Sequence, residues 1–274
     1  MKPRVNIGGN WKMNKSIDEG VSLVGELNKL VSTADCDVVI YPPATCLNAV
    51  AKRLEGSKIE VGAQMINVNE SGAFTGQISI GMAVDVGCMW ALVGHSETRT
   101  VGEFGTREEY TREHENAVLS GKLPVENDFT VNAKVKKALG NGLKVTMCLG
   151  ETERERAADR TNTVVERQVR RGLDAVTAEQ MEHVVLAYEP RWAIGKGKEP
   201  ATPEQAQEVH GLIRGVLKEL YGEIGEQVRI QYGGNVKPEN IENFMKEQDI
   251  NGALVGGASL DPVKFSEIIM KALI

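Results

Sequence analysis

A closed (β/α)8 barrel is the architecture this chain predicts, and three observations carry it. Eight short apolar runs recur along the sequence, at 5–8, 37–41, 59–63, 90–93, 144–149, 184–188, 228–232 and 253–255. Their continuous apolar character suits parallel strands buried on both faces. Amphipathic segments with helix signals lie between most of them, and strands alternating with helices imply a parallel sheet. The length, 274 residues, is near the upper limit for a single core of most kinds but ordinary for a barrel. An open doubly wound sheet is the competing topology. No GxGxxG follows the first apolar run, which argues against a dinucleotide-binding version of it.

The helix signals appear in chain order. Ser16 and Glu19 form a capping-box pattern ahead of Val21, Leu23, Val24 and Leu27. Thr202, Pro203 and Gln205 combine a cap, a first-turn proline and a box partner. Pro238 opens a further helix, and Asp261 with Pro262 opens the last. The whole of 1–274 reads as one domain.

Composition excludes several classes of function. Hydrophobic content of 41% and charged content of 26% are those of a globular enzyme. No stretch is long and apolar enough to span a membrane, and the start, MKPRVNIGGNW, lacks the apolar core of a signal peptide. A cytoplasmic protein with no membrane partner is expected. Cys36, Cys46, Cys88 and Cys148 are far apart, without CxxC spacing, so neither a disulfide framework nor a metal site is suggested. The net charge of −6 disfavours nucleic acid and supplies no long-range attraction for an anionic substrate. Any anion must be captured by local groups.

In a barrel of this kind the active site lies at the carboxyl ends of the strands. The sixth run ends in YEPRWAIGKGK, 188–198. It sets Glu189 beside a glycine-punctuated apolar loop that could cover it, strip away water, raise its pKa and make it a stronger base. A solvated glutamate in an ordinary loop is the alternative. The first strand end supplies Asn10 and Lys12, and the fourth supplies His95, Ser96 and Glu97. A carboxylate, an imidazole, an amide and an ammonium on one rim suit proton abstraction next to a carbonyl, where an enediolate's charge must be stabilised. The seventh and eighth ends carry Gly233, Gly234 and Asn235, then Gly256 and Gly257. Paired glycines expose amide donors, and these two loops are the usual phosphate site of such barrels. Either pair alone could be only a tight turn.

Assembled, these segments resemble the triosephosphate isomerase family, the type family of the TIM barrel. The resemblance rests on GGNWKMN (8–14), GAFTGQIS (72–79), GHSETR (94–99), CLGET (148–152), AYEPRWAIGKGK (187–198), TPEQAQEVH (202–210), YGGN (232–235) and VGGASL (255–260). It implies a glycolytic and gluconeogenic isomerase of a small phosphorylated sugar, needing no metal or organic cofactor. Glu189 would shuttle a proton between two carbons, and a neutral His95 would polarise the carbonyl oxygens. Lys12 and Asn10 would support the developing charge. Glu97 would orient Lys12, and Ser96 would hold Glu189 while the lid is open. Triosephosphate isomerases are themselves the standing example of this glutamate, neutral imidazole and closing lid. By the same resemblance the phosphate would meet backbone amides at Gly195, Asn235, Gly256 and Gly257, beside Gly233 and Gly234. The segment 64–79 would insert into a second subunit, with Thr75 reaching the partner's site, so that a homodimer is implied.

Several positions depart from the family pattern. Asn235 stands where serine is usual, Arg191 where the lid is aliphatic, Lys196 where threonine is usual and Thr98 where arginine is common, while the lid's far hinge runs through Pro200. These leave open an isomerase of a four-carbon ketose phosphate such as L-erythrulose 1-phosphate, and, more remotely, a noncatalytic phosphometabolite-binding regulator. An insertion of about twenty residues, near 106–127, follows the fourth strand. Its mixed charges suggest a solvated excursion, with His114 exposed. A roof over the site or a subunit contact is the other reading.

Overall fold

The computed structural model describes residues 2–99, 126–195 and 197–273. Eight parallel strands close into a barrel in sequence order: β1 Asn6–Asn10, β2 Asp37–Tyr41, β3 Ile59–Ala63, β4 Trp90–Val93, β5 Lys144–Leu149, β6 Val184–Tyr188, β7 Arg229–Tyr232 and β8 Gly252–Val255. The apolar runs and the strands agree to within a residue or two. The largest difference is at β1, which continues through Gly9 and Asn10 because the ladder to β2 pairs Asn10 with Tyr41. Backbone pairing there does not depend on an apolar side chain.

Helices follow on the outside: α1 Ile17–Leu30, α2 Leu47–Arg53, α3 Ile80–Asp85, α4 Asp128–Gly140, α5 Glu153–Ala157, α6 Thr161–Gly172, α7 Pro203–Tyr221, α8 Glu223–Gln227, α9 Ile241–Lys246 and α10 Pro262–Lys271. The capping boxes at Ser16–Glu19 and Thr202–Gln205 are both formed, satisfying amides that the first helical turn leaves without partners. In α7, Ala206, Val209, Ile213, Val216 and Leu217 are buried at three- to four-residue spacing, the stripe that seats a helix on a sheet. Pro238 does not begin a helix; 238–240 form a turn, and α9 starts at Ile241. Asn240 donates through its side chain to the carbonyl of Asn235 at 2.9 Å and accepts from the amide of Lys237 at 2.8 Å, so the local polar contacts favour a turn at that point.

Two apolar layers hold the barrel. Val39, Tyr41, Trp90, Leu92, Val185, Ala187 and Leu254 belong to one buried cluster, and a larger one joins strands to helices. The first fills the barrel's interior as side chains, so that the centre is core and not a pore. Tyr41 and Thr146 share a buried hydroxyl hydrogen bond of 2.8 Å within it. Only the strand ends remain available for chemistry.

Most of the insertion expected near 106–127, including His114, lies outside the described residues, as does Lys196. Its last two positions belong to the frame of the barrel. Glu126 forms a parallel bridge with Arg99, and Asn127 caps α4 through a reciprocal box with Thr130. The Glu126 carboxylate accepts from the Gly94 amide at 3.1 Å, from the Thr98 hydroxyl and from Lys134 at 2.9 Å. Thr98, one of the departures from the family pattern, thus has a buried acidic partner.

Candidate active site

The ends of β1, β4, β6, β7 and β8 converge on one cavity of about 810 Å3. Asn10, Lys12, His95, Glu189, Gly195, Gly233, Gly234, Asn235, Gly256 and Gly257 all line it. Ser96 and Glu97 stand behind, bonded to those that do. Thr75 is not brought to this cavity within the one chain; it lies exposed in the 64–79 loop.

Glu189 is 3% exposed, and its place is set by the backbone. Its amide donates to the Leu149 carbonyl at 2.7 Å, and the Gly233 amide donates to Tyr188 at 2.7 Å. Two glycines make room for it. A Cβ on Gly150, whose φ is +153°, would lie 1.9 Å from the Glu189 carbonyl oxygen, and one on Gly233 would lie 2.8 Å from the Glu189 Cγ. Gly233 therefore clears space for the base. Gly257, by contrast, faces nothing within 4 Å, which leaves its backbone open to the cavity.

The carboxylate faces β4. Its Oε1 is 3.0 Å from His95 Nε2 and accepts from the Ser96 hydroxyl at 3.0 Å, while Oε2 accepts from the Ser96 amide at 2.8 Å. The Glu97 amide donates to His95 Nδ1 at 3.2 Å. That bond leaves no proton on Nδ1, so the network assigns a neutral ring carrying its proton on Nε2. Burial lowers the His95 pKa, while the charge of Glu189, its contact with the ring and the charge of Glu97 together raise it. This pull toward the charged ring opposes the hydrogen-bond network, and the Glu97 amide, which cannot donate to a protonated Nδ1, decides for the neutral form in this geometry.

The expectation of a raised Glu189 pKa is corrected by this geometry. Burial does push it up, but the contacts with His95 and the two bonds from Ser96 outweigh burial and hold it below the ordinary carboxylate value. A carboxylate that accepts several hydrogen bonds is stabilised in its charged form. In this position Glu189 is a carboxylate held in its charged form.

Lys12 stands across the cavity mouth. Its Nζ is 2.6 Å from Glu97 Oε1, and its backbone has φ +54°, a left-handed conformation uncommon for a residue with a side chain. Asn10 Oδ1 accepts from the Lys12 amide at 3.0 Å. Gln64, the residue after β3, donates to the carbonyls of Lys12 and Tyr41 at 2.9 and 2.8 Å. The unusual backbone is thus held at both its amide and its carbonyl, and the ammonium is aimed by a carboxylate from the loop after β4. Sequence reasoning did not single out Gln64. Its signal was position: a polar residue directly after a barrel strand.

Glu151, within CLGET after β5, was also missed. It is fully buried and accepts from the Tyr188 hydroxyl at 3.1 Å and from Trp192 Nε1 at 2.9 Å. Arg156 is 3.3 Å from the same carboxylate, and its guanidinium lies 4.0 Å over the Trp192 ring. Farther along the lid, Lys198 pairs with Glu153. Trp192 and Lys198 are therefore fastened to the loop before α5 and to α5 itself.

A closed parallel barrel whose rim joins a carboxylate base, a neutral imidazole and an ammonium beside open glycine loops defines a class: enzymes that move a proton between neighbouring carbons of a small anionic carbonyl compound. Comparisons with known proteins narrow it. The triosephosphate isomerase family model matches residues 5–272. A triosephosphate isomerase of Clostridium botulinum (strain Langeland) is 47% identical over 264 residues, covering 96% of this chain and 97% of the relative. One of Syntrophotalea carbinolica is 44% identical over 265 residues, covering 96% of each. The crystal structure of triosephosphate isomerase from Bartonella henselae superposes with a TM-score of 0.81 at 32% identity, covering 98% of each chain. The chain belongs to the triosephosphate isomerase family.

Proposed function

We propose that this protein interconverts dihydroxyacetone phosphate and D-glyceraldehyde 3-phosphate through an enediolate. The observation that carries the reading is Glu189 within 3.0 Å of His95 Nε2 in a cavity that also holds Lys12. Glu189 takes a proton from one carbon of the substrate and returns it to the next. The Nε2–H of His95 polarises the two oxygens in turn, and Lys12 with Asn10 supports the charge on them. Glu97 orients Lys12, and Ser96 holds Glu189 until substrate arrives. Amides at Gly195, Asn235, Gly256 and Gly257, beside Gly233 and Gly234, receive the phosphate. Closure of the lid excludes water, which suppresses loss of phosphate from the intermediate. No helix among the described residues is long and apolar enough to cross a membrane, in keeping with a cytoplasmic enzyme.

Substrate length is the part of the reading most open to test, because Asn235 and Arg191 alter the wall and the lid. Purified protein is expected to show a higher kcat/KM for triose phosphates than for L-erythrulose 1-phosphate. A large preference for the four-carbon compound would move the assignment to that substrate, and inactivity on both would leave only a binding role.

A homodimer is part of the same proposal. The 64–79 loop presents Phe74 at 39% exposure beside a groove of about 480 Å3 lined by Leu47, Met65, Ile66, Ile78 and Ala133, among others. A second copy's loop would cover apolar surface that a monomer leaves wet. Sedimentation should give a dimer for the wild type and a monomer with much reduced activity for Phe74→Asp. A fully active monomeric wild type would reject the assembly.

A further inference from the structure

Arg191 and Glu155 are two charged groups near one another that the structure leaves unspent. Arg191 opens the short turn Arg191–Ala193 at the start of the lid. It is largely covered and has no hydrogen bond or ion pair among the described residues. Burial lowers its pKa, while the charges of Glu189 and Glu155 oppose that and Arg99 adds to it. Glu155, on α5, is 4% exposed. Its Oε2 serves the capping box with Thr152, at 2.8 Å from the amide and 2.9 Å from the hydroxyl, but its Oε1 is buried without any partner.

A buried carboxylate oxygen and a covered guanidinium without partners each cost free energy while they stay apart. Glu189 does not relieve Arg191, because its oxygens are taken by His95 and Ser96. The other lid anchors are already matched in this conformation, Trp192 to Glu151 and Lys198 to Glu153. When the lid moves over the cavity, Trp192 and Lys198 stand to lose those contacts, so something must favour the closed position. A conformational change requires an interaction that differs between its two states.

We propose that Arg191 is a positioning residue of the lid, and that closure brings its guanidinium onto Glu155 Oε1, an ion pair made only in the closed state. The inference rests on the isomerase reading, since it takes the Arg191–Lys198 segment to be that enzyme's lid. The pair would offset part of the loss of the Trp192 and Lys198 contacts. It would also give a function to an arginine at a position the family leaves aliphatic.

The test is a double-mutant cycle with Arg191→Val and Glu155→Gln. Glutamine keeps the capping box with Thr152 while removing the charge. Affinity for 2-phosphoglycolate, a stable carboxylate mimic of the enediolate phosphate, is measured by calorimetry alongside kcat and KM. Each single variant is expected to weaken binding about tenfold, and the double variant to be no weaker than the worse single, as for groups that act as a pair. Arg191→Lys should recover part of the loss, and melting temperatures should stay close to wild type. Additive losses in the double variant, or unchanged affinity in Arg191→Val, would overturn the pair. If wild-type protein does not isomerise triose phosphates, the isomerase reading fails first; if it does and the cycle is additive, only the ion pair fails.

Discussion

Replacing Glu189 by alanine is expected to lower kcat/KM for triose phosphates by about 10³- to 10⁴-fold, the contribution of a positioned general base. The fold should survive, because the groups around Glu189 are held by the backbone: Ser96 and His95 by a helical turn in which Thr98 and Arg99 donate to the His95 carbonyl at 2.8 and 3.0 Å, and the loop itself by the Leu149 and Tyr188 bonds. Far-UV circular dichroism checks that arm, and steady-state kinetics the other. A wild-type rate in Glu189→Ala would reject the mechanism. The pH dependence is a second arm. Because Glu189 is held below its ordinary value of 4.5 in the free enzyme, the acid limb of kcat/KM belongs below pH 4.5, once the second ionisation of the substrate's phosphate, near 6, is allowed for. The same shift stabilises the folded protein above pH 4.5, and that stabilisation is lost as pH falls through the lower folded value. On the proposed mechanism, departure of Glu189 from Ser96 would remove the two hydrogen bonds that add to His95 in holding its pKa down, while the burial that raises it would remain. That change would make the carboxylate a stronger base when substrate is bound.

His95→Gln should lower kcat by about 10²- to 10³-fold, the typical loss on removing one donor to a developing oxyanion. KM should change much less, because the phosphate loops lie on other strands. Glutamine can donate one hydrogen bond but does not pass a proton from one oxygen to the next as a neutral imidazole does. The assigned tautomer supplies a spectroscopic check. With the Glu97 amide donating to Nδ1 at 3.2 Å, the ring nitrogen signals of His95 in NMR should show protonation at Nε2 alone wherever the ring is uncharged. Protonation at Nδ1 there would contradict the network. Both expectations concern groups touching the reacting atoms, which is why they exceed any effect expected from Arg191.

Much of this was legible in the residues themselves. The strands were, because a strand buried on both faces must be apolar throughout, as in Val184–Tyr188, and such runs stand out between charged helices. The reactive groups were legible because they sit at strand ends. Gln64 and Glu151 sit at strand ends too, yet were not read as part of the site. Their partners, the carbonyl of Lys12 and the ring nitrogen of Trp192, are 52 and 41 positions away in sequence, and nothing adjacent to either residue in the sequence points to those contacts. The direction of the Glu189 shift was misread for a related reason. Burial is visible in an apolar stretch of sequence, but the hydrogen bonds from Ser96 that oppose it exist only once β4 and β6 share a rim. Gly233, read as part of a phosphate loop, lines the cavity, and its missing Cβ also leaves room for the Cγ of Glu189, a second use that the sequence does not show.

The bridge between Arg99 and Glu126 has a practical meaning. Glu126 donates through its amide to the Thr98 carbonyl at 3.1 Å, so positions 99 and 126 lie side by side on one short ladder. A peptide or a whole reporter domain joined between those points would begin and end side by side, at a small entropic cost of closure, and a few residues after His95 in the loop that follows β4. The barrel thereby offers a socket for grafted sequence wired directly to its catalytic rim, a natural place to couple an inserted sensor to the rate of an isomerase.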